Sequence, residues 1–248
     1  MDVHPPHSPL HSWRDFWIHL GTISVGLLIA ISLEQTVEWA NRLHERHVLQ
    51  AELREEGESN REVVATDLKD LDLKLRWAGD LARDIAQIRD SHGTLKLPLR
   101  PNYSLRAADF RYHYLNPGDA VWTTAKDGNR LALLPHGDAQ VYARLERLSD
   151  FVIEAWKRTD LTAQALDAFA HNFHGGLRGV DLSLMNDAQL ERFNDLLQTY
   201  FEAESRLYDL LHYFNGTNEA ILGGARTEAE VQQAMYAAAA QGHAVAHP

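Results

Sequence analysis

Between Arg14-Asp15 and Glu34 the chain carries the run FWIHLGTISVGLLIAISL, eighteen residues without a formal charge unless His19 is protonated. A helix rises ~1.5 Å per residue and a bilayer core is ~30 Å thick, so about 20 residues cross it, and this run sits at the short end. Such a run must meet lipid or be buried in protein, which constrains the fold more than any other feature. Trp13, Phe16 and Trp17 crowd its N-terminal edge and Trp39 lies beyond the other, where amphipathic rings suit the membrane interface. Trp13, Trp17 and Trp39 are therefore the expected interface anchors. A buried core helix is one rival. A cleavable signal peptide, with Ala30 and Ser32 at the small-residue positions, is the other. A signal peptide opens on Lys or Arg, whereas only Arg14 precedes this run, and that favours a retained anchor.

The remainder is long enough for one domain beside the span, at 248 residues in all. Twenty-four Lys and Arg against 35 Asp and Glu give a net charge of −11, the wrong sign for holding phosphate, so nucleic-acid binding is set aside. The absence of cysteine excludes disulfides, thiolate metal sites and a cysteine nucleophile, and leaves the redox compartment open.

From Leu33 to Asp90 there is no proline, so one long helix leaving the membrane is the economical reading. Val64, Leu68, Leu71, Leu75, Ala78, Ala82 and Ile85 alternate spacings of four and three, the pattern of packed helices. Towards the membrane the same line meets Gly57, Asn60, Gln50 and Arg46, which reads as a solvated stalk. Turn signals then crowd residues 91–137, with prolines at 98, 101, 117 and 135. Leu105 to Leu115 is a short helix or strand, and Asp119 caps a short helix ended by Gly128, with Trp122 and Ala125 facing inward.

Asp138 is the expected cap of a long helix with the seam Val141, Leu145, Leu148, Val152, Ala155, Thr159, Thr162, Leu166, Phe169 and Phe173, stopped by Gly175-Gly176. Asn186 or Asp187 caps another, with the seam Leu190, Phe193, Leu197, Tyr200, Glu204, Leu207, Leu211 and Phe214, closed by Asn215-Gly216. Thr227-Glu-Ala-Glu230 reads as a capping box opening a last helix through the alanines at 237–240. The expected fold is all-α, one N-terminal transmembrane helix continuing into a long stalk helix and an antiparallel helical bundle. Its divisions are a tail over 1–15, the span over 16–33, the stalk over 34–61, the bundle over 62–242 and a loose tail over 243–248.

The stretch from Gly26 through Ala30 to Glu34, Glu38 and Trp39 resembles a family of uncharacterised bacterial proteins with one N-terminal span, in which the membrane helix runs directly into a polar helix bearing Trp and Glu/Arg repeats. Trp122-Thr-Thr-Ala125-Lys-Asp-Gly128, followed by Leu131 and Leu134, is similar to their second recurring feature. These motifs cover about a fifth of the chain. The resemblance implies a bacterial inner-membrane protein with most of the chain in the periplasm. Charge does not decide orientation, because Arg14 on one side faces Arg42 and Arg46 on the other.

Chemistry-bearing patterns are sparse. His44 and His47 stand three apart, one residue short of the H-E-x-x-H zinc signature, and read as solvated polar residues. His171 and His174 suit a helix C-terminus, where a cation is favoured. His174-Gly175-Gly176 resembles a lipase oxyanion loop without the G-x-S-x-G elbow that would accompany it. Glu204 in an apolar seam is a candidate general acid, but pairing with an arginine or leaning out at the bundle edge is the simpler expectation. Tyr112-His113-Tyr114 and Trp122 serve a core before a ligand pocket. No cofactor, metal or catalytic set is expected.

His19, Thr22, Gly26, Ala30 and Glu34 fall along one side of the membrane helix, where small residues let a second helix approach closely. This stripe is the expected contact with another membrane subunit or a second copy of the chain. The function expected is an accessory or scaffold subunit that binds envelope proteins and is not an enzyme. The alternative is an extracytoplasmic small-molecule sensing domain on a single-span anchor.

Overall fold

A computed structural model describes residues 13–91, 117–173, 176–178 and 180–246, with side chains to residue 237 apart from that of residue 178. The expected element over 105–115, Tyr112-His113-Tyr114, His174-Gly175 and Gly179 lie outside the described residues, as do residues 1–12 of the N-terminal tail. The described residues are all-helical: α1 over Trp13–Asp90, α2 over Ala120–Asp127, α3 over His136–Ala170, α4 over Asp187–Leu222 and α5 over Glu228–Ala246. Short 3-10 turns cover Arg130–Leu133, Gly176–Arg178 and Leu182–Leu184. The chain divides into two units, residues 1–50 and 51–248.

The first unit contains the N-terminal part of α1. Its apolar stretch is exposed throughout. Hydroxyls there are satisfied within the helix: Thr22 donates to the Ile18 carbonyl at 2.9 Å and Ser32 to that of Leu28 at 2.7 Å. Local pairing of this kind lets a helix carry hydroxyls in an apolar medium.

The second unit is built on two apolar clusters. One joins Trp77, Leu81 and Ile85 of α1 to Leu166 and Ala170 of α3 and to Leu190, Phe193, Leu197 and Tyr200 of α4. The other joins Val64 and Leu71 of α1, Val141, Leu145 and Val152 of α3, Leu207, Leu211 and Phe214 of α4 and Val231 of α5. From the second cluster to the first, residue numbers climb along α1 and α3 and fall along α4. All eight residues of the expected α4 seam are buried, because spacings of three and four keep them on one stripe of a helix.

Several boundaries differ from those read in the sequence. Leu53, Gly57 and Asn60 are buried, so the packed face of α1 begins within the stretch assigned to a solvated stalk. Gly57 marks a close approach: a Cβ there would stand 3.0 Å from Asn218 Oδ1 and 3.1 Å from Leu222 Cδ2. Asn218 Nδ2 also donates to the Gly57 carbonyl at 2.7 Å. α4 continues through Asn215-Gly216 to Leu222 because that turn pair lies on its packed side, with Gly216, Thr217 and Asn218 buried and Ile221 in the second cluster.

α3 starts at His136, so Asp138 is a first-turn residue rather than the cap. It is buried and paired with Arg226 Nε at 3.0 Å. The same helix ends at Ala170, and Phe173 reaches the core from the turn beyond it. Gly176 there has φ +70°, a conformation that favours glycine. α5 runs to Ala246, past Gly242 and past residue 243 where a loose tail is expected, its alanine run having high helix propensity. Both capping motifs are present. Asn186 exchanges bonds with Gln189, and Thr227 with Glu230.

Candidate functional site

His19, Thr22, Gly26, Ala30 and Glu34 are exposed on α1 in the first unit. A Cβ placed on Gly26 meets no atom within 4 Å beyond the helix's own backbone and its chain neighbours, so the position is open. Thr22 spends its hydrogen on the Ile18 carbonyl, which leaves its oxygen to accept rather than donate across a helix contact. Trp13 and Trp17, with Phe16, form a ring cluster with centroids 5.4–5.7 Å apart, and Trp39 is exposed.

In the second unit the Trp122 motif is held by α1. Asn60 Nδ2 donates to the Gly118 carbonyl at 2.8 Å, and Gly118 N donates back to Asn60 Oδ1 at 2.6 Å. Glu56 Oε1 accepts from Val121 N at 2.9 Å, capping α2 from another helix, while Asp119 at the N-cap position makes no side-chain cap bond. A carboxylate at a helix N-terminus meets unpaired N–H groups and the positive end of the dipole. Burial nevertheless pushes the Glu56 carboxyl above its ordinary pKa. The backbone donors oppose that shift and the negative charge of Asp119 adds to it.

Trp122 stacks on Tyr142 with centroids 5.9 Å apart, and Lys126 pairs with Glu146 of α3. Burial acts to raise the Glu146 carboxyl. Lys126, Trp122 and the charge of Arg147 together outweigh it, so that pKa lies below its ordinary value.

Leu53, Glu56, Asn60, Trp122, Tyr142 and Ser149 line a cavity of about 20 Å³. That is room for about one water molecule and no metabolite.

Where the two apolar clusters meet, the core turns polar. Lys74 of α1, Thr159 of α3 and Glu204 of α4 are each at most 3% exposed, and Asp67, two turns before Lys74 and between Val64 and Leu71 of the second cluster, is also buried. Lys74 Nζ lies 2.8 Å from Asp70 Oδ2. Glu204 is buried instead of leaning out at the bundle edge, and it accepts a hydrogen bond from Tyr200. Burial, then the Glu204 and Asp70 carboxylates, hold the Tyr200 phenol well above its ordinary pKa, so it stays a neutral donor. Sequence reasoning passed over this layer. The signal available was Asn60, Asp67 and Lys74 at seven-residue intervals in line with Leu53, Leu81 and Ile88.

Of the histidine pairs, only His44, His47 and His171 lie among the described residues. His44 and His47 are exposed, and His171 ends α3 with Nδ1 3.5 Å from the Asp167 carboxylate. Among the described residues no three His, Asp or Glu side chains are grouped to hold a metal ion. Comparison with protein-family models, with curated proteins and with solved structures gives no match.

Proposed function

We propose that this chain is a membrane-anchored accessory or scaffold subunit of the bacterial envelope. Residues 16–33 cross the inner membrane and are retained, the helical domain lies in the periplasm, and its work is to bind other envelope proteins without catalysis of its own. One observation carries the reading: an 18-residue window of α1 has mean hydropathy 1.9 and none of it is buried by the chain's own fold. A core helix of a soluble protein is packed over most of its apolar surface. An uncovered apolar surface of this length in water would drive aggregation, and lipid is the solvent that suits it.

The domain beyond it acts as an antiparallel bundle, with α4 laid against α1 and α3. Its buried polar layer supports a structural role, because a buried charge disfavours any helix register that would leave it without compensation. Periplasmic orientation rests on the resemblance to single-span bacterial proteins.

The partner contact lies on the stripe His19, Thr22, Gly26, Ala30 and Glu34, where close backbone approach drives association within lipid. Gly26→Leu is the test, since the position has open space around a Cβ. Affinity purification from native membranes in mild detergent should lose the co-purifying subunit, or the second copy, while membrane insertion and helix content stay unchanged. Recovery of the same chains in the same amounts would place the contact elsewhere.

A further inference from the structure

Beyond residue 33 α1 continues as an exposed helix with two unlike sides. Leu33, Val37, Ala40, His44 and His47 are exposed and alternate steps of four and three. The same steps carried back into the span fall on Ile23, Gly26 and Ala30, which are also exposed. One seven-residue repeat therefore runs unbroken from lipid into water, the repeat that two helices keep when they coil around each other. Val37 is 60% exposed, and Leu43 and Val48 at the edges of this seam are each 38% exposed. The opposite side is complete on its own, since Glu38 and Arg42 pair with each other there. No Asp, Glu, Lys or Arg stands on the seam or its edges between residues 35 and 50.

Three features identify the occupant. Ile23 and Val37 at one core position of the repeat, with Leu33 at the other, is the combination that favours two parallel strands. Chains anchored in one membrane leave it in the same direction with the same residues level, so a second copy supplies a parallel α1 in register. In that pairing the edges match: Thr36 of one copy meets Asn41 of the other and Leu43 meets Val48, polar on polar and apolar on apolar, each pair occurring twice. Any other helical subunit must reproduce the spacing and these edges, whereas a copy does so by identity. With alanine and two histidines at the seam, the part outside lipid is a weak pair in free solution, and the shared bilayer supplies the effective concentration that holds it.

We infer that a second copy of this chain docks parallel and in register along α1, with Val37, Ala40, His44 and His47 of the two copies face to face beyond the membrane. Of the membrane stripe, His19, Gly26 and Ala30 lie on this seam and Thr22 and Glu34 at its edges, so the inference rests on the proposed partner contact and names its occupant.

The chain has no cysteine of its own, so single cysteines report the seam in native membranes under mild oxidation. Val37→Cys, Ala40→Cys, His44→Cys and His47→Cys should each give a disulfide-linked dimer of this chain. Glu38→Cys, Arg42→Cys and Glu45→Cys should not, because a disulfide reaches only across facing positions. In mild detergent, with mass read by analytical ultracentrifugation, Ala40→Arg and Ala40→Glu each set like charges face to face and should weaken self-association about tenfold or more. An equal mixture of the two should associate within about twofold of the wild type, and circular dichroism checks helix content. Self-links at none of the seven positions, or equally at all seven as random collision gives, overturn the inference, as does a mixture that stays apart. In those cases loss of a co-purifying chain of different mass from Gly26→Leu keeps the proposed partner contact, whereas release of the chain from washed membranes ends both.

Discussion

Replacing Asn60 by alanine probes where the packed part of α1 begins. Asn60 is 2% exposed, and its amide makes two reciprocal bonds with the Gly118 backbone, at 2.8 and 2.6 Å. An intramolecular hydrogen bond contributes about 0.5–1.5 kcal/mol net, so losing the pair costs about 1–3 kcal/mol. The alternative, a solvated stalk position, predicts a change within about 0.5 kcal/mol, with a slight gain from alanine's helix propensity. In a domain of this size 1 kcal/mol moves Tm by about 2–4 °C, so the expected loss is about 2–12 °C. Thermal unfolding of the full chain in mild detergent, followed by circular dichroism at 222 nm, reads it directly. Because Asn60 anchors Gly118 just before α2, the variant should also expose Trp122 and shift its fluorescence to longer wavelength. Wild-type Tm together with an unshifted spectrum would refute the reasoning and return residue 60 to the solvent.

Two further outcomes follow from the second unit. Phe193 and Leu207 are fully buried in the first and second clusters, so Phe193→Ala should cost about 3–5 and Leu207→Ala about 2–5 kcal/mol in urea unfolding, whereas Glu191→Ala on the outer face of α4 should stay within about 0.5. Glu56 has a pKa raised in the folded state, so its contribution is fully present below the ordinary glutamate value and is lost as pH rises through the folded one. Glu56→Gln removes that loss. Its stability relative to wild type should rise between about pH 4 and pH 7, and a flat or falling difference would contradict the burial argument.

Much of this architecture is legible in local pattern. The α4 seam works because each of its residues is judged by its own spacing, and the Asn186 and Thr227 boxes work because a cap is complete within four residues. The misreadings share one physical origin: a polar residue's environment is set by groups distant in sequence. Asn60 looks like stalk until Gly118 takes its amide, and Gly57 looks like a flaw in a seam until Asn218 fills the space a Cβ would occupy. Asn215-Gly216 carries a stop signal that packing overrides, and Asp138 looks like a cap until Arg226 arrives from the turn after α4. Tyr200 shows the same limit, since Asp70, whose charge bears on its phenol, comes from α1. The stripe His19, Thr22, Gly26, Ala30 and Glu34 is visible in sequence because helical spacing alone defines it.

The most direct measurement is fractionation of the native chain. After carbonate washing of membranes, the account predicts that the chain stays in the membrane fraction with its mass unreduced and residues 16–33 still attached. It also predicts that added protease removes the domain beyond Trp39 once the outer envelope is opened. A chain released to the soluble fraction, or recovered there shortened by its apolar segment, would contradict the anchor, and full protection of the domain in intact spheroplasts would reverse its side.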